Sequence, residues 1–235
     1  MNTIQHVSRD IWINAAPERV WTALTVPEER NKWETRSSKI DLVIGGIIQL
    51  DYGWGVTYDG IITELERPHR IVTEDADKEL MIWSIEPQDG GCRVTITYTG
   101  LWSGDQGMMM MENMLFGTYQ FMRNMKQVLE HEEDMRSSYW RSWIGMNHRT
   151  IPYLGTTAVR VVQVIPNTPA YGILQELDIL IQLNGKPIPN YEELEQSITE
   201  MESNGDIHFQ LIRQGQPCYV SMKTIPYGTR LGSNS

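Results

Sequence analysis

The sequence predicts an α+β protein built as two modules, and three observations carry that reading. A strand, two short helices, six further strand-like segments and one long helix succeed each other through residues 4–135. A polar stretch then interrupts the apolar patterning, Glu132-Glu133-Asp134 followed by Arg136-Ser137-Ser138. Beyond it the chain resumes as short strands with a single amphipathic helix, the make-up of a second, smaller domain.

Residues 4–14 alternate apolar and polar through Val7, Arg9, Ile11 and Ile13, a period of two that marks a strand. Ala15-Ala16-Pro17-Glu18 opens a helix: proline fits the first turn, where its missing N–H costs nothing, and Val20, Ala23 and Leu24 share one face. Pro27-Glu28-Glu29 opens a second short helix that ends near Trp33. Segments 40–44, 46–52, 56–66, 69–75, 79–86 and 91–99 read as strands, punctuated by Gly45-Gly46, Asp59-Gly60, Pro68 and Asp89-Gly90-Gly91. The spacing of Met111, Met114, Phe121, Met125 and Leu129 predicts a long helix over 108–135, with Arg123, Lys126, Glu130 and Glu133 opposite. In the second module, 159–165 and 178–183 read as strands and Asn184-Gly185 as a hairpin-type turn. Asn190 caps a helix over 190–201 whose stripe is Tyr191, Leu194, Ile198 and Met201. A last hairpin joins 206–213 to 218–223 across Gln214-Gly215. The expected organisation is a domain over 1–136, a linker over 137–141, a domain over 142–226 and a loose tail over 227–235.

Composition excludes several classes of function. Twenty Lys and Arg stand against 30 Asp and Glu, a net charge of −10, which argues against nucleic-acid phosphates as a partner and against anionic membranes. No apolar run approaches the roughly 20 residues of a membrane span. Residues 1–10 lack the basic and apolar regions of a secretory signal, so a cytoplasmic protein is expected. Cys92 and Cys218 are far apart and share no metal-binding spacing, which points to two unpaired thiols. Phosphate-cradling, dinucleotide-binding and serine-protease motifs are missing. His6, His69, His131, His148 and His208 are scattered and read as surface or structural residues. No catalytic residue, metal or cofactor is therefore assigned. Eight of the 13 methionines fall between Met108 and Met135, and methionine suits irregular apolar space and adaptable binding surfaces.

Four groups of residues in the first module carry a resemblance. They are Ile11-Trp12-Ile13-Asn14-Ala15-Ala16-Pro17-Glu18-Arg19-Val20-Trp21 with Trp33, Asp41 through Gly46, Asp59-Gly60 through Glu66-Arg67-Pro68-His69-Arg70, and Gly91-Cys92-Arg93-Val94-Thr95-Ile96-Thr97. With the long helix ending Val128-Leu129-Glu130, they make residues 4–135 resemble the START-like, SRPBCC superfamily, and within it the homologues of the activator of heat-shock-protein ATPase. Phe116-Gly117-Thr118-Tyr119 departs from the Gly-Trp pair common in such relatives. The resemblance implies a helix-grip fold, a curved antiparallel sheet around a long C-terminal helix, with an apolar cavity between them. Trp54, Tyr58, Trp83, Tyr98, Trp102, Met111, Met114, Tyr119 and Met122 are the candidates to line it, although each alone is more readily explained as core. Asp51, Glu64, Glu66 and Glu74 offer the one enzymatic route, because a carboxylate turned into an apolar cavity has its pKa raised.

Trp143-Ile144-Gly145-Met146, the segment 161–170, the segment 178–188, the helix after Asn190 and Arg213-Gln214-Gly215 make residues 142–224 resemble a PDZ domain of the bacterial, HtrA-protease-associated type. Leu177 departs from it, since relatives usually have glycine before the aspartate. The resemblance implies a small β-barrel-like domain with helices that captures protein C-termini. The loop Ile144, Gly145 and Met146 would supply N–H donors to the terminal carboxylate, with Tyr191 and Ile198 facing the groove. The expected partners are thus an apolar small molecule or client for the first module and a C-terminal peptide for the second. A cyclase- or hydrolase-type enzyme and a chaperone-associated regulator are the alternatives.

Overall fold

The computed structural model describes residues 3–227. The chain divides into two compact units: the chain up to Trp102 with Leu115–Arg136, and Ser103–Met114 with the chain from Ser137 onward. Of the predicted tail over 227–235, only Tyr227 lies within the described residues.

The first unit holds β1 (Ile4–Ile13), α1 (Pro17–Thr25), α2 (Pro27–Arg30), β2 (Ser37–Ile40), β3 (Ile47–Asp51), β4 (Thr57–Glu66), β5 (Arg70–Glu74), β6 (Leu80–Gln88) and β7 (Gly91–Trp102), with the part of α3 (Gly104–His131) from Leu115 on. Its seven strands run in the order β1-β7-β6-β5-β4-β3-β2, each pair antiparallel. The meander is broken once: β1, first in the chain, pairs with the last strand, Ile11 opposite Val94 and Ile13 opposite Cys92. Alternation along the strands sends Ile48, Leu50, Ile62, Trp83, Ile85 and Ile96 into a core shared with Met122 and Met125 of α3.

Polar side chains fasten the helix at its C-terminal end. Asn124, fully buried, donates to Trp33 O (2.8 Å) and Asp134 Oδ1 (3.0 Å) and accepts from Met135 N (2.7 Å). Lys126 Nζ donates to Trp12 O at 2.9 Å, while Glu130 accepts from Asn14 N at 2.6 Å. These bonds explain why the helix stops at His131, short of the predicted Met135: Glu132 takes φ 61° and the chain turns back onto Asn124. At its other end the helix begins at Gly104, ahead of the predicted 108.

One predicted strand is displaced. Residues 41–46 form a turn, with Val43 N donating to Asp41 O (2.8 Å) and Gly46 N to Val43 O (2.9 Å). Val43 and Ile44 mimic a strand in sequence but are exposed, and Gly45 at φ +84° carries the reversal that lets β2, over Ser37–Ile40, pair with β3.

The second unit continues after α4 (Arg136–Tyr139) with β8 (Ser142–Trp143), β9 (Met146–Tyr153), β10 (Thr156–Val164), β11 (Ile179–Leu183), β12 (Lys186–Pro187), α5 (Tyr191–Thr199), β13 (Asp206–Arg213), β14 (Gln216–Lys223) and β15 (Ile225–Pro226). Its main sheet runs β14-β13-β11-β10-β9, with β12 on β11, and β15 pairs with β8 separately. The cap on α5 is as the sequence predicts: Asn190 Oδ1 accepts from Glu193 N at 2.9 Å. Val159, Val161, Leu180, Leu194, Phe209 and Leu211 centre the core.

Asp178, almost fully buried, is clamped by Arg213: Nε reaches Oδ1 at 2.8 Å and Nη2 reaches Oδ2 at 2.6 Å. The same carboxylate accepts from Gln175 N at 2.9 Å. The residue before it, Leu177, is 68% exposed and held at φ +71°. A left-handed backbone costs a non-glycine residue about 1–2 kcal/mol, and this side chain has little packing to offset it. Leu177→Gly is therefore expected to stabilise the second unit by about 0.5–1 kcal/mol after the added unfolded-state entropy, read as a raised urea midpoint with unchanged slope. A lowered midpoint would mean that the leucine contributes packing.

Candidate functional site

Two places gather the side chains of interest, one in each unit. Inside the first, α2 and the turn after it supply a buried ion pair. Arg30 Nε donates to Glu34 Oε2 at 2.5 Å and Nη1 to Leu24 O at 2.9 Å, while Nη2 is buried without a hydrogen-bond partner among the described residues. The Arg30 guanidinium also stands 5.6 Å from the centre of the Trp33 ring, which meets Trp83 edge to face at 6.2 Å. Trp83 Nε1 is likewise buried without an acceptor among the described residues.

Three tyrosines share this neighbourhood. Tyr58 pairs its hydroxyl with Thr73 Oγ1 (2.7 Å) and Tyr98 with Thr118 Oγ1 (3.0 Å). Burial pushes the pKa of Tyr52, Tyr58 and Tyr98 up, and the Glu34 charge adds to the rise at Tyr52 and Tyr98. The phenols therefore stay protonated and serve as hydrogen-bonding groups, poor candidates for a general base.

The predicted cavity set is distributed unevenly. Trp83 and Met122 are buried; Tyr58, Tyr98, Trp102 and Tyr119 are half-buried, Tyr119 lying 5.6 Å from the Arg9 guanidinium. Trp54 is exposed and stacks on Phe121 at 6.4 Å. Met111 and Met114 belong to the Ser103–Met114 segment of the other unit, Met111 buried and Met114 half-buried. Sequence reasoning missed Arg30, Glu34 and Tyr52; an i, i+4 Arg–Glu pair was the available signal, and it reads as an ordinary surface pair.

The strand carboxylates considered for catalysis do not gather at this cluster. Asp51 bonds Gly53 N (2.8 Å) and pairs with Arg36, and those contacts hold its pKa below the usual range. Glu64 pairs with Arg70 at 2.9 Å, Glu74 with Lys78 at 2.6 Å, and Glu66 is exposed. At the cluster itself the buried carboxylate is that of Glu34, paired with Arg30.

In the second unit, Ile144 and Gly145 lead from β8 into β9, the edge strand of the sheet, and α5 packs beside that strand. Gly145 sits at φ +87°, and a Cβ there would collide with the Thr168 side chain. Glycine is thus required by the turn and by Thr168 itself. Ile144, Gly145, Met146, Tyr191 and Ile198, the candidates for peptide binding, are all buried, and Ile144, Met146 and Ile198 belong to one apolar cluster. His148, on β9, was not singled out. It is 1% exposed, stacks on Tyr191 (centroids 4.3 Å, planes 18° apart) and lies 3.8 Å from Glu195 Oε2. Neither ring nitrogen has a hydrogen-bond partner among the described residues, and burial lowers its pKa to about 4.

The curved antiparallel sheet with its long helix and enclosed polar cluster defines the first unit as a START-type domain. More narrowly, residues 14–130 match the family described as activator of Hsp90 ATPase homolog 1-like protein, so this unit is an AHSA1-like domain. Among solved structures, the chain is similar to the Aha1 dimer from Colwellia psychrerythraea, with 20% identity and a TM-score of 0.50 over 55% of this chain and 99% of that one. It is also similar to the protein SSP2350 from Staphylococcus saprophyticus, with 20% identity and a TM-score of 0.50 over 56% of this chain and 96% of that one. At that identity the likeness concerns the fold alone. No curated protein matches the chain. Among the described residues, no helix is long and apolar enough to cross a membrane, and no three His, Cys, Asp or Glu side chains group as metal ligands.

Proposed function

We propose that the chain is a non-catalytic binding protein of two modules. The AHSA1-like unit holds an apolar small molecule or client surface, and the second unit is a PDZ-type module that takes up a protein C-terminus. The observation that carries the reading is the loop Ile144-Gly145-Met146 running into an edge strand beside α5. An extended peptide adds to a sheet at such an edge, and N–H groups in a glycine turn make an anion-binding concavity. In this reading the terminal side chain inserts by Ile144, Met146 and Ile198, and Tyr191 sets the preference upstream. Within the AHSA1-like unit, the unpartnered donors of Arg30 and Trp83 among apolar side chains favour a ligand with an apolar body and a hydrogen-bond acceptor. The free thiols of Cys92 and Cys218 support a cytoplasmic location.

The test is a titration of the intact chain with matched peptides, taken from a C-terminal library hit, that end in a free acid or an amide. Amidation removes a charge-assisted contact and is expected to weaken binding about ten- to a hundred-fold, or roughly 1–3 kcal/mol. Equal affinities would sink the carboxylate reading and favour internal strand addition. The family description offers a second reading, a regulator of a chaperone ATPase. Saturable binding to a purified chaperone, unaffected by C-terminal peptide, would favour it.

A further inference from the structure

The edge strand β9 is met by the first part of α3. Asp105, Glu112 and Asn113 stand at i, i+7 and i+8 on α3, on one face and about two turns apart. Each meets the β9–α5 face of its own unit. Glu112 Oε2 accepts from Thr150 N at 2.8 Å, and Asn113 Oδ1 accepts from the Tyr191 hydroxyl at 3.1 Å. Asp105 Oδ1 accepts from Arg149 Nη1 at 3.0 Å and also from Arg160 Nη2, and Arg149 Nη1 reaches Gly104 O at 3.1 Å as well.

The two arginines are the informative part. Arg149 on β9 and Arg160 on β10 are register partners, directly opposite in the ladder. Like charges so placed destabilise a sheet unless an anion lies between them. Here one carboxylate oxygen serves both cations, while Arg160 Nε remains buried without a partner among the described residues. The pair is thus a carboxylate receptor whose donors exceed what Asp105 supplies. The resident segment is also easily unwound at its start, since Gly104-Asp105-Gln106-Gly107 puts two glycines in the first turn of the helix.

We infer that residues 104–114 are an internal occupant of the β9–α5 face, and that the external partner is an acidic peptide whose carboxylate takes the Arg149–Arg160 pair from Asp105. The peptide half of this inference rests on the PDZ-type reading above; the occupancy half does not.

The experiment uses the full chain, wild type and Asp105→Ala, with Asp105→Asn as a second variant should the first fold poorly. Two readouts are taken. Amide hydrogen exchange at Thr150 is expected to quicken at least tenfold in the variant, with the β13–β14 amides unchanged, because the segment bearing Glu112 is released. Unchanged exchange at Thr150 overturns the occupancy. The second readout is the affinity of a ten-residue peptide with a free terminal valine and Asp and Glu upstream, against its Asn/Gln counterpart. The acidic peptide is expected to bind the variant about tenfold more tightly than wild type, and the neutral one to gain less. Equal gains overturn the acidic preference, and equal affinity for wild type and variant overturns self-occlusion. Indifference to amidation in both proteins would remove the PDZ-type reading alone, since the exchange result judges the occupancy separately.

Discussion

Glu34→Gln is expected to destabilise the AHSA1-like unit by about 3–5 kcal/mol, the cost of leaving a buried charge without its counter-ion. Arg30 is 1% exposed and Glu34 7% by side chain, so water cannot screen the loss. The variant leaves Arg30 with the Leu24 carbonyl, at 2.9 Å, and a neutral amide in place of the carboxylate, while Nη2 has no acceptor among the described residues to begin with. The paired replacement Arg30→Met with Glu34→Leu is expected to recover most of the stability. Desolvating two ions offsets much of their attraction, and well-packed apolar residues avoid both terms. Urea unfolding followed by tryptophan fluorescence, with the two transitions fitted separately, measures each variant. A loss below about 1 kcal/mol for Glu34→Gln would show that solvent reaches the pair. A double variant as unstable as the single would show that the ions hold the fold by geometry that apolar side chains cannot supply.

The second unit is expected to lose stability on mild acidification because of His148. Its folded pKa is about 4 against an ordinary 6.5, the result of burial. Between those values the unfolded chain binds the proton and the folded chain does not, so stability falls as pH falls. The contribution is fully present above pH 6.5 and is lost progressively down to about pH 4. It amounts to about 2 kcal/mol between pH 7 and 5, and about 3 kcal/mol in all. His148→Phe keeps a ring against Tyr191 and removes the titration, so its stability is expected to be flat across that window. Carboxylates whose pKa is lowered, such as Asp51 and Asp134, act at still lower pH, beneath 3.8, and do not confuse the result. Parallel pH profiles for wild type and His148→Phe would show that the ring is hydrated in the folded state.

Much of the fold was legible because it is written in short-range periodicity. The period-two runs of β1 and β7, the capped helix after Asn190 and the hairpin across Gln214-Gly215 each follow from neighbouring residues and backbone preference. Val43-Ile44 misled because a β-branched pair satisfies the strand pattern whether or not a turn follows. The strand β9 escaped notice for the opposite reason. His148 is buried at a position that reads as polar, and Pro152 breaks the run, so alternation disappears from the letters while persisting in space.

The sequence by itself determined the alternating strands β1 and β7, the long helix, the capped helix after Asn190 and the START-like resemblance of the first half. Tertiary structure alone decided that Arg30 and Glu34 are a buried pair, that Asp51, Glu64 and Glu74 each pair with a basic side chain, and that Ser103–Met114 joins the second unit. It also decided that Asp105 lies between two arginines brought opposite each other by strand register. The reason is physical: periodicity records which face of an element is apolar, over a few residues. Whether a charge is buried, paired or shared depends on which distant segment closes over it, and that is set by the packing of elements far apart in the chain.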